Sequence, residues 1–289
     1  MKVFPKWSNI LNLRARIEGY DAPIHAPAET YRAIVRHIKE DPLSMGALVT
    51  THKIDLLEAT RDMFGELDPD AHLCGEVSSI SKIDGRLVGH AIDPISSGLS
   101  WEAFVNPGHW GRSGGHVLCL GAGGSAVAIS VYLAKRQNTA DRPCKFIVVD
   151  RSQVRLDNLR CIQTRLETNI EFEYIHNQDS VRNDAIMASL PAGSMVINAT
   201  GMGKDIPGSP ITNDGVFPEW GLAWELNYRG ELDFLHQAER QVISRGVRVE
   251  DGWTYFVHGW TQVVAKVFNL NLTPVLFAQL EQSSASVRA

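Results

Sequence analysis

The chain falls into two regions with different patterns of apolar and polar residues. From about residue 110 onward, short β-rich apolar runs alternate with stretches of helical length, which is the pattern of a parallel sheet with crossover helices. Five such runs, each bounded by polar or glycine-containing turns, are the candidate strands Val117–Leu120, Phe146–Val149, Phe172–Ile175, Met195–Asn198 and Leu222–Leu226. Between the first two runs, Val127, Val131 and Ala134 follow the spacing of a buried helical stripe. We therefore predict an α/β fold with a parallel sheet in this region.

The first hundred residues follow another pattern, which predicts a separate α/β unit. An Asp84-Gly85 dipeptide stands between two strand-like runs, and this arrangement is a strong signal for a hairpin with a tight turn. The predicted elements of the unit are two helices and three strands, at Ala28–Lys39, Ala47–Thr50, Lys53–Phe64, Val77–Ile83 and Arg86–His90. A further helix is predicted at Met1–Leu13, where apolar residues recur at helical spacing.

The helix that begins at Lys53 has a predicted orientation. Ile54, Leu57 and Phe64 share one face, so this face should pack against the core. Thr50 or Thr51 stands just before the helix and is expected to cap its first turn through the side-chain hydroxyl.

Composition and charge narrow the class of protein. A chain of 289 residues with 44% apolar content can bury two cores of ordinary size. Its net charge of −5 provides no basic field for nucleic acid or anionic lipid. The first residues show no apolar secretion signal, and no run approaches the roughly 18 apolar residues of a membrane span. We expect a cytoplasmic monomer or homodimer with a small-molecule partner, and neither nucleic acid nor membrane among its partners.

Cysteine and histidine residues show no pattern of a disulfide framework or a metal site. The four cysteines, Cys74, Cys119, Cys144 and Cys161, include no C-x-x-C pair, so we expect free, mostly buried thiols. None of the ten histidines falls into H-E-x-x-H or another ligand spacing on one helix face. The sequence therefore predicts no metal.

A glycine-rich turn follows the strand Val117–Leu120 and leads directly into a helix. The turn consists of Gly121, Ala122, Gly123, Gly124, Ser125 and Ala126. Ala126 takes the third glycine position of the G-x-G-x-x-G pattern. Glycine permits the tight turn and lets the backbone approach a pyrophosphate, whose charge lies against the positive helix N-terminus. Strand, turn and helix in this order predict a Rossmann domain that binds NAD(P) through this turn; a Rossmann-like fold without cofactor is the alternative.

An acidic residue at the end of the next strand favours NAD over NADP. Asp150 can accept hydrogen bonds from the adenosine ribose hydroxyls and repel a 2′-phosphate. It lies further from the glycines than the usual ~20 residues, which the polar stretch Arg136–Lys145 explains as an inserted loop. Arg151 comes next, and its guanidinium would pair with a 2′-phosphate if Asp150 turned away. We predict NAD as the preferred cofactor and leave NADP open.

Four further segments resemble the shikimate and quinate dehydrogenase family. GALVTTHK at Gly46–Lys53 resembles the family's G-x-N-V-T-x-P-H-K segment with one residue deleted, and GHAID at Gly89–Asp93 resembles its G-x-N-T-D segment. VINATGMG at Val196–Gly203 resembles its I-N-A-T loop beside the nicotinamide, and ELNY at Glu225–Tyr228 resembles its D-x-x-Y segment. Together with the glycine turn, the resemblance spans about residues 46–265.

Pattern and resemblance together imply a domain organisation and a set of site residues. We expect a substrate domain at residues 1–100, a Rossmann domain at 101–230, and C-terminal helices at 231–289 that return to the substrate domain. The resemblance places Lys53 and Asp93 at catalytic positions. The implied substrate contacts are Thr50, Ser78, Tyr228 and Gln262, and the implied cofactor contacts after the third strand are Asn198, Thr200, Gly201 and Met202.

Oxidation of an alcohol gives the Lys53–Asp93 pair a chemical role. A base takes the hydroxyl proton while hydride leaves for the nicotinamide. A helix start and partial burial would lower the pKa of Lys53, whereas an ionised Asp93 would raise it. We therefore interpret the pair as a proton-handling and hydroxyl-orienting dyad rather than a free-amine base. The alternative is a surface lysine and a turn aspartate, and we assign the neighbouring His52 to packing or orientation.

The chain departs from the family pattern at its start and in the substrate pocket. The family begins with a strand and an S-x-S loop that holds the substrate carboxylate, whereas Met1–Leu13 matches the helix that follows. We therefore expect the natural protein to have a segment upstream; the alternative is that this chain anchors its substrate differently. Three family asparagines and one glutamine are replaced, at Leu48, Ser78, Ala91 and Gly259. Gln262, nearly one helical turn after Gly259, is the alternative to that glutamine.

The sequence therefore predicts an NAD(P)-dependent oxidoreductase that transfers a hydride to or from a secondary alcohol of a small, shikimate- or quinate-like hydroxy acid. Two other functions remain open. A dehydrogenase of a different polyol or amino acid derivative fits the lost asparagines, because such amides read ring hydroxyls. A noncatalytic NAD(P)-sensing protein would keep the Rossmann domain without turnover.

Overall fold

The computed structural model describes residues 2–288, which form two compact units. The first unit combines the residues up to Ser96 with those from Val257 onward, and the second unit comprises Ser97–Phe256. Both boundaries lie inside helices, Asp93–Phe104 and Trp253–Phe268. Each unit has a sheet and a hydrophobic core of its own.

Helices and short strands alternate along most of the described chain. The helices are α1 (Phe4–Ile10), α2 (Ala28–Glu40), α3 (Lys53–Thr60), α4 (Pro69–Cys74), α5 (Asp93–Phe104), α6 (His109–Ser113), α7 (Gly124–Lys135), α8 (Gln153–Gln163), α9 (Ser180–Ala188), α10 (Asp233–Glu239), α11 (Val242–Arg245), α12 (Trp253–Phe268) and α13 (Pro274–Ser284). The strands are β1 (Gly46–Leu48), β2 (Glu66–Leu67), β3 (Ser79–Ile83), β4 (Arg86–His90), β5 (Val117–Leu120), β6 (Lys145–Asp150), β7 (Glu171–His176), β8 (Met195–Asn198), β9 (Leu222–Glu225) and β10 (Arg248–Glu250).

A four-stranded mixed sheet forms the centre of the first unit, in the order β1-β3-β4-β2. β3 pairs antiparallel with β1 and β4, and β2 joins the other edge of β4 in parallel. The predicted hairpin is confirmed: Asp84 and Gly85 have φ angles of 49° and 75°, which suit a tight turn between right-twisted strands. The strand that enters the turn begins at Ser79 rather than at Val77.

The core-facing residues predicted for helix α3 are confirmed only in part. Its buried residues are Leu56, Leu57 and Thr60, whereas Ile54 is 51% exposed. The helix ends at Thr60 and the chain continues as a short 3-10 turn, so Phe64 lies beyond the helix. The predicted stripe is therefore wrong at Ile54, whereas Leu57 is fully buried and Phe64 packs against the same core from beyond the helix.

The N-terminal helix α1 packs against α13 within the same unit. The Trp7 indole is fully buried, and its N–H lies 2.9 Å from both the Leu280 carbonyl oxygen and the Ser284 hydroxyl. The helix predicted over Met1–Leu13 is therefore confirmed in its central part, and Met1 lies outside the described residues.

A six-stranded parallel sheet forms the second unit, in the order β10-β9-β8-β5-β6-β7. From β7 outward this is the order 3-2-1-4-5-6 of a doubly wound Rossmann domain. All five predicted strands are confirmed. The sixth, β10, was not predicted because its three residues, Arg-Val-Glu at the sheet edge, form no apolar run.

Apolar clusters cover both faces of this sheet. On one face Trp101 stacks on Trp110 with ring centroids 5.5 Å apart and meets Trp224 edge-on at 6.1 Å. On the other face Phe217 and Phe234 meet at 5.5 Å. Because both faces are covered, every residue of β5, β8 and β9 is buried. The sheet thereby gives firm support to the loops that follow β5, β6 and β8.

The four cysteines are free thiols, and no membrane helix is found. Cys74 and Cys119 are buried, whereas Cys144 and Cys161 are exposed, so the expectation of mostly buried thiols holds for only two. Among residues 2–288, no group of three or more His, Cys, Asp or Glu side chains is arranged as a metal site. No helix in that range combines the length and apolar character needed to cross a bilayer.

Candidate active site

Lys53 and Asp93, which were predicted from separate segments, form an ion pair in the first unit. Lys53 is the first residue of α3, and Asp93 is the first residue of α5. Lys53 Nζ donates a hydrogen bond to Asp93 Oδ2, and the two side chains are 23% and 16% exposed. The pairing offsets part of the cost of burying each charge, while the partial exposure leaves both groups accessible to a ligand.

Hydrogen bonds at the ends of the hairpin fix the position of this pair. The Val77 N–H donates to the Lys53 carbonyl at 3.2 Å, which ties the start of α3 to the segment before β3. The Ser78 hydroxyl accepts from the Ile92 N–H at 2.7 Å and donates to the His90 carbonyl at 3.3 Å. This hydroxyl therefore holds the turn that leads into α5, and its contact with substrate remains a prediction.

The charge state of Lys53 follows from its surroundings. Burial of the ammonium lowers the pKa of Lys53, but the Asp93 and Glu76 carboxylates outweigh that effect and hold the pKa above its ordinary value. The positive start of α3 does not bring the amine towards neutrality. Lys53 is thus an ammonium at neutral pH, which fits a proton donor and hydroxyl-orienting group rather than a free-amine base.

A third ionisable side chain, Glu76, belongs to the same cluster and was not predicted. It is 6% exposed, and burial together with the Asp93 charge raises its pKa to about 7, although Lys53 acts to lower it. Its carboxyl group has no hydrogen bond or ion pair with any other residue between positions 2 and 288. In the sequence, the signal for this residue was a single charge within the segment Leu73–Ser79, whose other residues are small or apolar.

The other predicted residues of the first unit lie in varied settings. Neither Thr50 nor Thr51 caps α3, so that prediction is wrong; the N-cap residue is His52, without a side-chain hydrogen bond to the helix. His52 Nδ1 instead lies 3.1 Å from the Tyr31 hydroxyl, which agrees with a packing role. Thr50 is exposed and Gln262 is partly buried on α12, and their substrate contacts remain predictions.

Open space surrounds Gly259, the α12 position where the family pattern has glutamine. A Cβ built at Gly259 would meet no atom within 4 Å. A glycine inside a helix is about 1 kcal/mol less favourable than alanine. Neither close packing nor backbone geometry therefore requires glycine at this position.

A serine, a histidine and an aspartate lie in hydrogen-bonding order on the small sheet but do not form a hydrolytic site. Ser81 Oγ lies 2.8 Å from His90 Nε2, and His90 Nδ1 lies 3.3 Å from Asp68 Oδ2. Ser81 is 1% exposed, so a substrate cannot reach its hydroxyl. Asp68 also accepts the Ala71 N–H at 2.7 Å as the cap of α4. The three residues therefore brace β3, β4 and α4.

The predicted glycine turn joins β5 to α7 in the second unit. Gly121 has a φ of 110°, and a Cβ there would lie 2.7 Å from the Ala199 carbonyl oxygen. Only glycine fits both constraints. Gly123 is the N-cap residue of α7.

The N-terminus of α7 has the features of an anion site. Gly124 and Ser125 are its first residues, and Ala126 is fully buried behind them. No side chain caps this helix, so no side-chain acceptor occupies its first N–H groups. Together with the positive end of the helix dipole, these groups fit a pyrophosphate.

Asp150, at the end of β6, is held by backbone groups of the same unit. Its Oδ2 accepts the N–H of Ala122 and its Oδ1 accepts the N–H of Ser152, each at 2.7 Å. The residue is buried, with 8% exposure. Both carboxylate oxygens thus already have a backbone donor, and the side chain links the glycine turn to the start of α8.

Arg151 follows as an exposed residue. Its guanidinium forms no hydrogen bond or ion pair with the part of the chain that the structure describes, while its carbonyl oxygen lies 2.9 Å from His176 Nε2. The next residue, Ser152, caps α8 by accepting the Arg155 N–H at 3.4 Å. This corner therefore presents an available guanidinium beside a helix start.

The predicted loop after β8 is fixed by amide groups. Asn198 Oδ1 accepts the N–H and the hydroxyl of Thr200 at 3.1 and 2.6 Å. Asn227 Nδ2 donates to the carbonyls of Thr200 and Met202 at 3.2 and 3.1 Å. Between them, the Gly201 carbonyl accepts N–H groups from the turn that follows. Asn227 belongs to the ELNY segment, but the sequence did not predict that its amide would hold the loop after β8.

Glu225, the last residue of β9, connects the two asparagines. It is fully buried and accepts Asn198 Nδ2 at 2.6 Å, the Asn227 N–H at 2.8 Å and Asn227 Nδ2 at 2.7 Å. Burial raises the pKa of Glu225 to about 7, although the three hydrogen bonds act to lower it. Glu225 therefore supports the loop after β8 through both amides.

Tyr228 lies in an aromatic group of the second unit. Its ring centroid is 4.5 Å from that of Phe256 and 5.9 Å from that of Trp253, and the Arg229 guanidinium lies 5.9 Å from the ring. The side chain is partly buried. Its contact with substrate remains a prediction.

Comparison with known sequences finds dehydrogenases. A shikimate dehydrogenase (NADP+) of Streptococcus thermophilus is 29% identical over 183 residues, which are 62% of this chain and 58% of that relative. The chain thus matches less than two thirds of the relative's length. No family model matches the chain.

Comparison with solved structures finds the same fold. The shikimate 5-dehydrogenase of Listeria monocytogenes, in complex with shikimate and NAD, has a TM-score of 0.71 and 17% identity over 97% of this chain and 90% of that one. The ligand-free 5-ketofructose reductase of a Gluconobacter strain has a TM-score of 0.70 and 21% identity over 97% of this chain and 91% of that one. At these identities the structural similarity shows the fold and not the activity. The chain is thus similar in sequence to shikimate dehydrogenases and has the fold of the Listeria enzyme.

Proposed function

We propose that the protein is an NAD(P)-dependent dehydrogenase that interconverts a secondary alcohol and a ketone on a small cyclic hydroxy acid. The observation that carries the proposal is the Lys53–Asp93 ion pair, a partly exposed proton-handling site. The glycine turn and the uncapped start of α7 support NAD(P) as cofactor. The sequence similarity to a shikimate dehydrogenase supports the same reaction.

The reaction needs a group that handles the proton on the alcohol oxygen. NAD(P), when bound, supplies or accepts the hydride at the carbon. The Lys53 ammonium donates a proton to the carbonyl oxygen in the reductive direction, and the Lys53 amine takes it back in the oxidative direction. Asp93 orients the ammonium by accepting its hydrogen bond. Because the pKa of Lys53 is raised, the pair at neutral pH is ready for ketone reduction.

Between the two cofactors, the corner at Asp150 and Arg151 favours NADP, in contrast to the preference predicted from the sequence. Both Asp150 oxygens accept backbone N–H groups, whereas the exposed Arg151 guanidinium has no partner in the described chain. Such a guanidinium can form a bidentate pair with a 2′-phosphate. The relative from Streptococcus is named for NADP+, although the Listeria enzyme holds NAD.

Replacing Arg151 by alanine tests this preference. We expect the KM for NADP to rise about tenfold, equivalent to about 1.4 kcal/mol of lost pairing, and the KM for NAD to change less than about twofold. The exposed Arg182, replaced by alanine, is the matched control. Equal changes for both cofactors, or none for NADP, would contradict the assignment of NADP to Arg151.

The substrate has two candidate classes. Similarity to shikimate dehydrogenases favours a cyclic hydroxy acid. The Gluconobacter enzyme is named for a keto sugar, which makes a polyol ketone the second candidate. The Ser78 hydroxyl already accepts the Ile92 N–H, and Gly259 has no side chain to fill the space beside it. Both features favour a substrate that does not depend on the family's amide contacts.

A substrate screen with a lysine variant tests the function. Purified protein is assayed with shikimate, quinate, polyols and amino acid derivatives, each with NAD and NADP, by absorbance of the reduced cofactor. We expect Lys53→Met to lower kcat about a thousandfold because the proton donor is lost. The exposed Lys39, changed to methionine, should have no effect. Tight cofactor binding without turnover on any compound would instead identify a nucleotide-sensing protein.

A further inference from the structure

Glu76 is a buried carboxyl group without a protein partner. Only 6% of the surface of Glu76 is exposed. The side chains of Lys53 and Asp93 are more accessible, with 23% and 16% exposed. Buried polar groups are almost always hydrogen-bonded, and a carboxyl group that lacks a partner carries a desolvation cost. No residue between positions 2 and 288 donates a hydrogen bond to it. The Glu76 oxygens are not among the fully buried polar atoms without a partner, so the carboxyl group keeps some contact with solvent.

The backbone ties the segment that carries Glu76 to the start of the helix that carries Lys53. The N–H of the following residue, Val77, donates to the Lys53 carbonyl at 3.2 Å, so the segment that carries Glu76 is tied to the start of α3. The charged groups that act on Glu76 are Lys53 of α3 and Asp93 of α5. The cluster thus contains one ammonium on α3 and two carboxyl groups, one on α5 and one in the segment between α4 and β3.

The three groups differ in how readily they change protonation. Lys53 is held as an ammonium by the two carboxylates, and Asp93 accepts its hydrogen bond. Glu76 has a pKa of about 7, so it exchanges protons with solvent near neutral pH. After Lys53 has given up a proton, the cluster needs a proton source close to this value, because transfer is most effective when donor pKa and ambient pH match.

We propose that Glu76 returns a proton to Lys53 after each ketone reduction and accepts it after each alcohol oxidation. The proposal rests on the dehydrogenase function proposed above. In reduction, a Lys53 N–H bond breaks as an O–H bond forms on the carbonyl oxygen, which takes up the C=O π electrons while the carbon receives the hydride that bound NAD(P)H would supply. The Lys53 amine then takes the proton of the Glu76 carboxylic acid, directly or through water. Glu76 regains a proton from solvent, and oxidation runs these transfers in reverse.

The pH dependence of Glu76→Gln tests this role, because glutamine keeps the shape of the side chain and cannot exchange a proton. In the wild-type enzyme kcat for ketone reduction should fall as the pH rises through about 7. In E76Q the fall of kcat around pH 7 should disappear, with kcat lowered about tenfold at pH 6 and KM changed little. Glu58→Gln removes an equal charge from an exposed position of α3 and should keep the wild-type profile. An unchanged step in E76Q would overturn the proposal.

Carbon-13 NMR of glutamate side chains tests the electrostatic cluster without turnover. The resonance lost in E76Q should titrate near pH 7 in the wild-type protein, move to lower pH in Asp93→Asn and move to higher pH in Lys53→Met. A midpoint near 4.5 that neither variant shifts would overturn the proposal. A wild-type protein that titrates as expected but reduces no ketone would instead overturn the dehydrogenase function, and with it the role of Glu76 in turnover.

Discussion

Two buried glutamates, one in each unit, titrate in the same range for different reasons. Glu76 in the first unit and Glu225 in the second both have a pKa raised to about 7 by burial. Glu225 accepts three hydrogen bonds, from Asn198 and Asn227, whereas Glu76 accepts none from the described chain. A raised pKa alone therefore does not distinguish a group that supports structure from one that exchanges protons with a ligand.

The difference lies in what each carboxylate interacts with. At Glu225 the amide donors stabilise the ionised form and offset part of the burial, so the charge is compensated by neutral dipoles. At Glu76 the compensation comes from Lys53, whose own proton is transferred in the proposed reaction. Loss of Glu225 should therefore mainly reduce stability, and loss of Glu76 should mainly reduce activity.

The largest effect is expected from Glu225→Ala. The variant leaves donor groups of Asn198 and Asn227 buried without an acceptor, so the free energy of unfolding should fall by about 4 kcal/mol. Urea denaturation at pH 7 measures this change. Glu76→Ala is the comparison and should lose less than half as much, because no hydrogen bond is broken. Similar losses in both variants would remove the distinction between the two glutamates.

The pH dependence of stability gives the next effect. Because the folded-state pKa of Glu225 is raised from 4.5 to about 7, its protonation favours the folded state. This contribution is complete below pH 4.5 and is lost as the pH rises through 7, by roughly 3 kcal/mol. Urea denaturation between pH 4.5 and 8 should show the decline in the wild-type protein and a flatter curve in Glu225→Gln. Parallel curves would show that Glu225 is not the titrating group.

His258 is a buried base whose pKa is lowered by burial, so its effect on stability has the opposite pH dependence to that of Glu225. Burial lowers the pKa of His258 to about 4, its Nδ1 has no partner in the described chain, and its ring stacks on Phe277 at 4.0 Å. The neutral ring favours the folded state above pH 6.5, and this contribution is lost as the pH falls through 4. His258→Leu should reduce the acid sensitivity of the unfolding free energy by about 2 kcal/mol. An unchanged slope between pH 6.5 and 4 would contradict this.

The smallest effect is expected for the stability of Glu76→Gln. At pH 8 the substitution removes a buried charge without breaking a hydrogen bond, so the free energy of unfolding should stay constant or rise by up to about 1 kcal/mol. Glu58→Gln on the exposed side of α3 serves as the reference. A loss of several kcal/mol in E76Q would show that Glu76 supports the fold as Glu225 does.

Local patterns in the sequence predicted the fold well. The glycine turn needs only adjacent residues, and the Asp84-Gly85 turn likewise fixes its hairpin locally. The four interior strands, β5, β6, β8 and β9, are largely apolar because helices cover both faces of their sheet. The end of α3 was wrong because the helix stops at Thr60, where a 3-10 turn begins, and no periodicity shows that boundary in advance.

The chemistry of the site was harder to predict from the sequence, because it depends on contacts between residues that are far apart in the chain. Lys53 and Asp93 were paired through resemblance, since their spacing of 40 positions carries no geometric information. The direction of the Lys53 pKa shift needed the second carboxylate of Glu76, which lies outside the family's motifs as quoted. Asp150 was expected to face a ribose, whereas its backbone partners became visible only in three dimensions.

The Asp150 bridge has a consequence for the thermodynamics of binding the proposed cofactor. By joining Ala122 to Ser152, it orders the glycine turn during folding, before any dinucleotide arrives. The conformational entropy of the turn is then lost during folding, so that little further entropy is lost when a dinucleotide binds. A preorganised turn of this kind converts more of each phosphate contact into affinity.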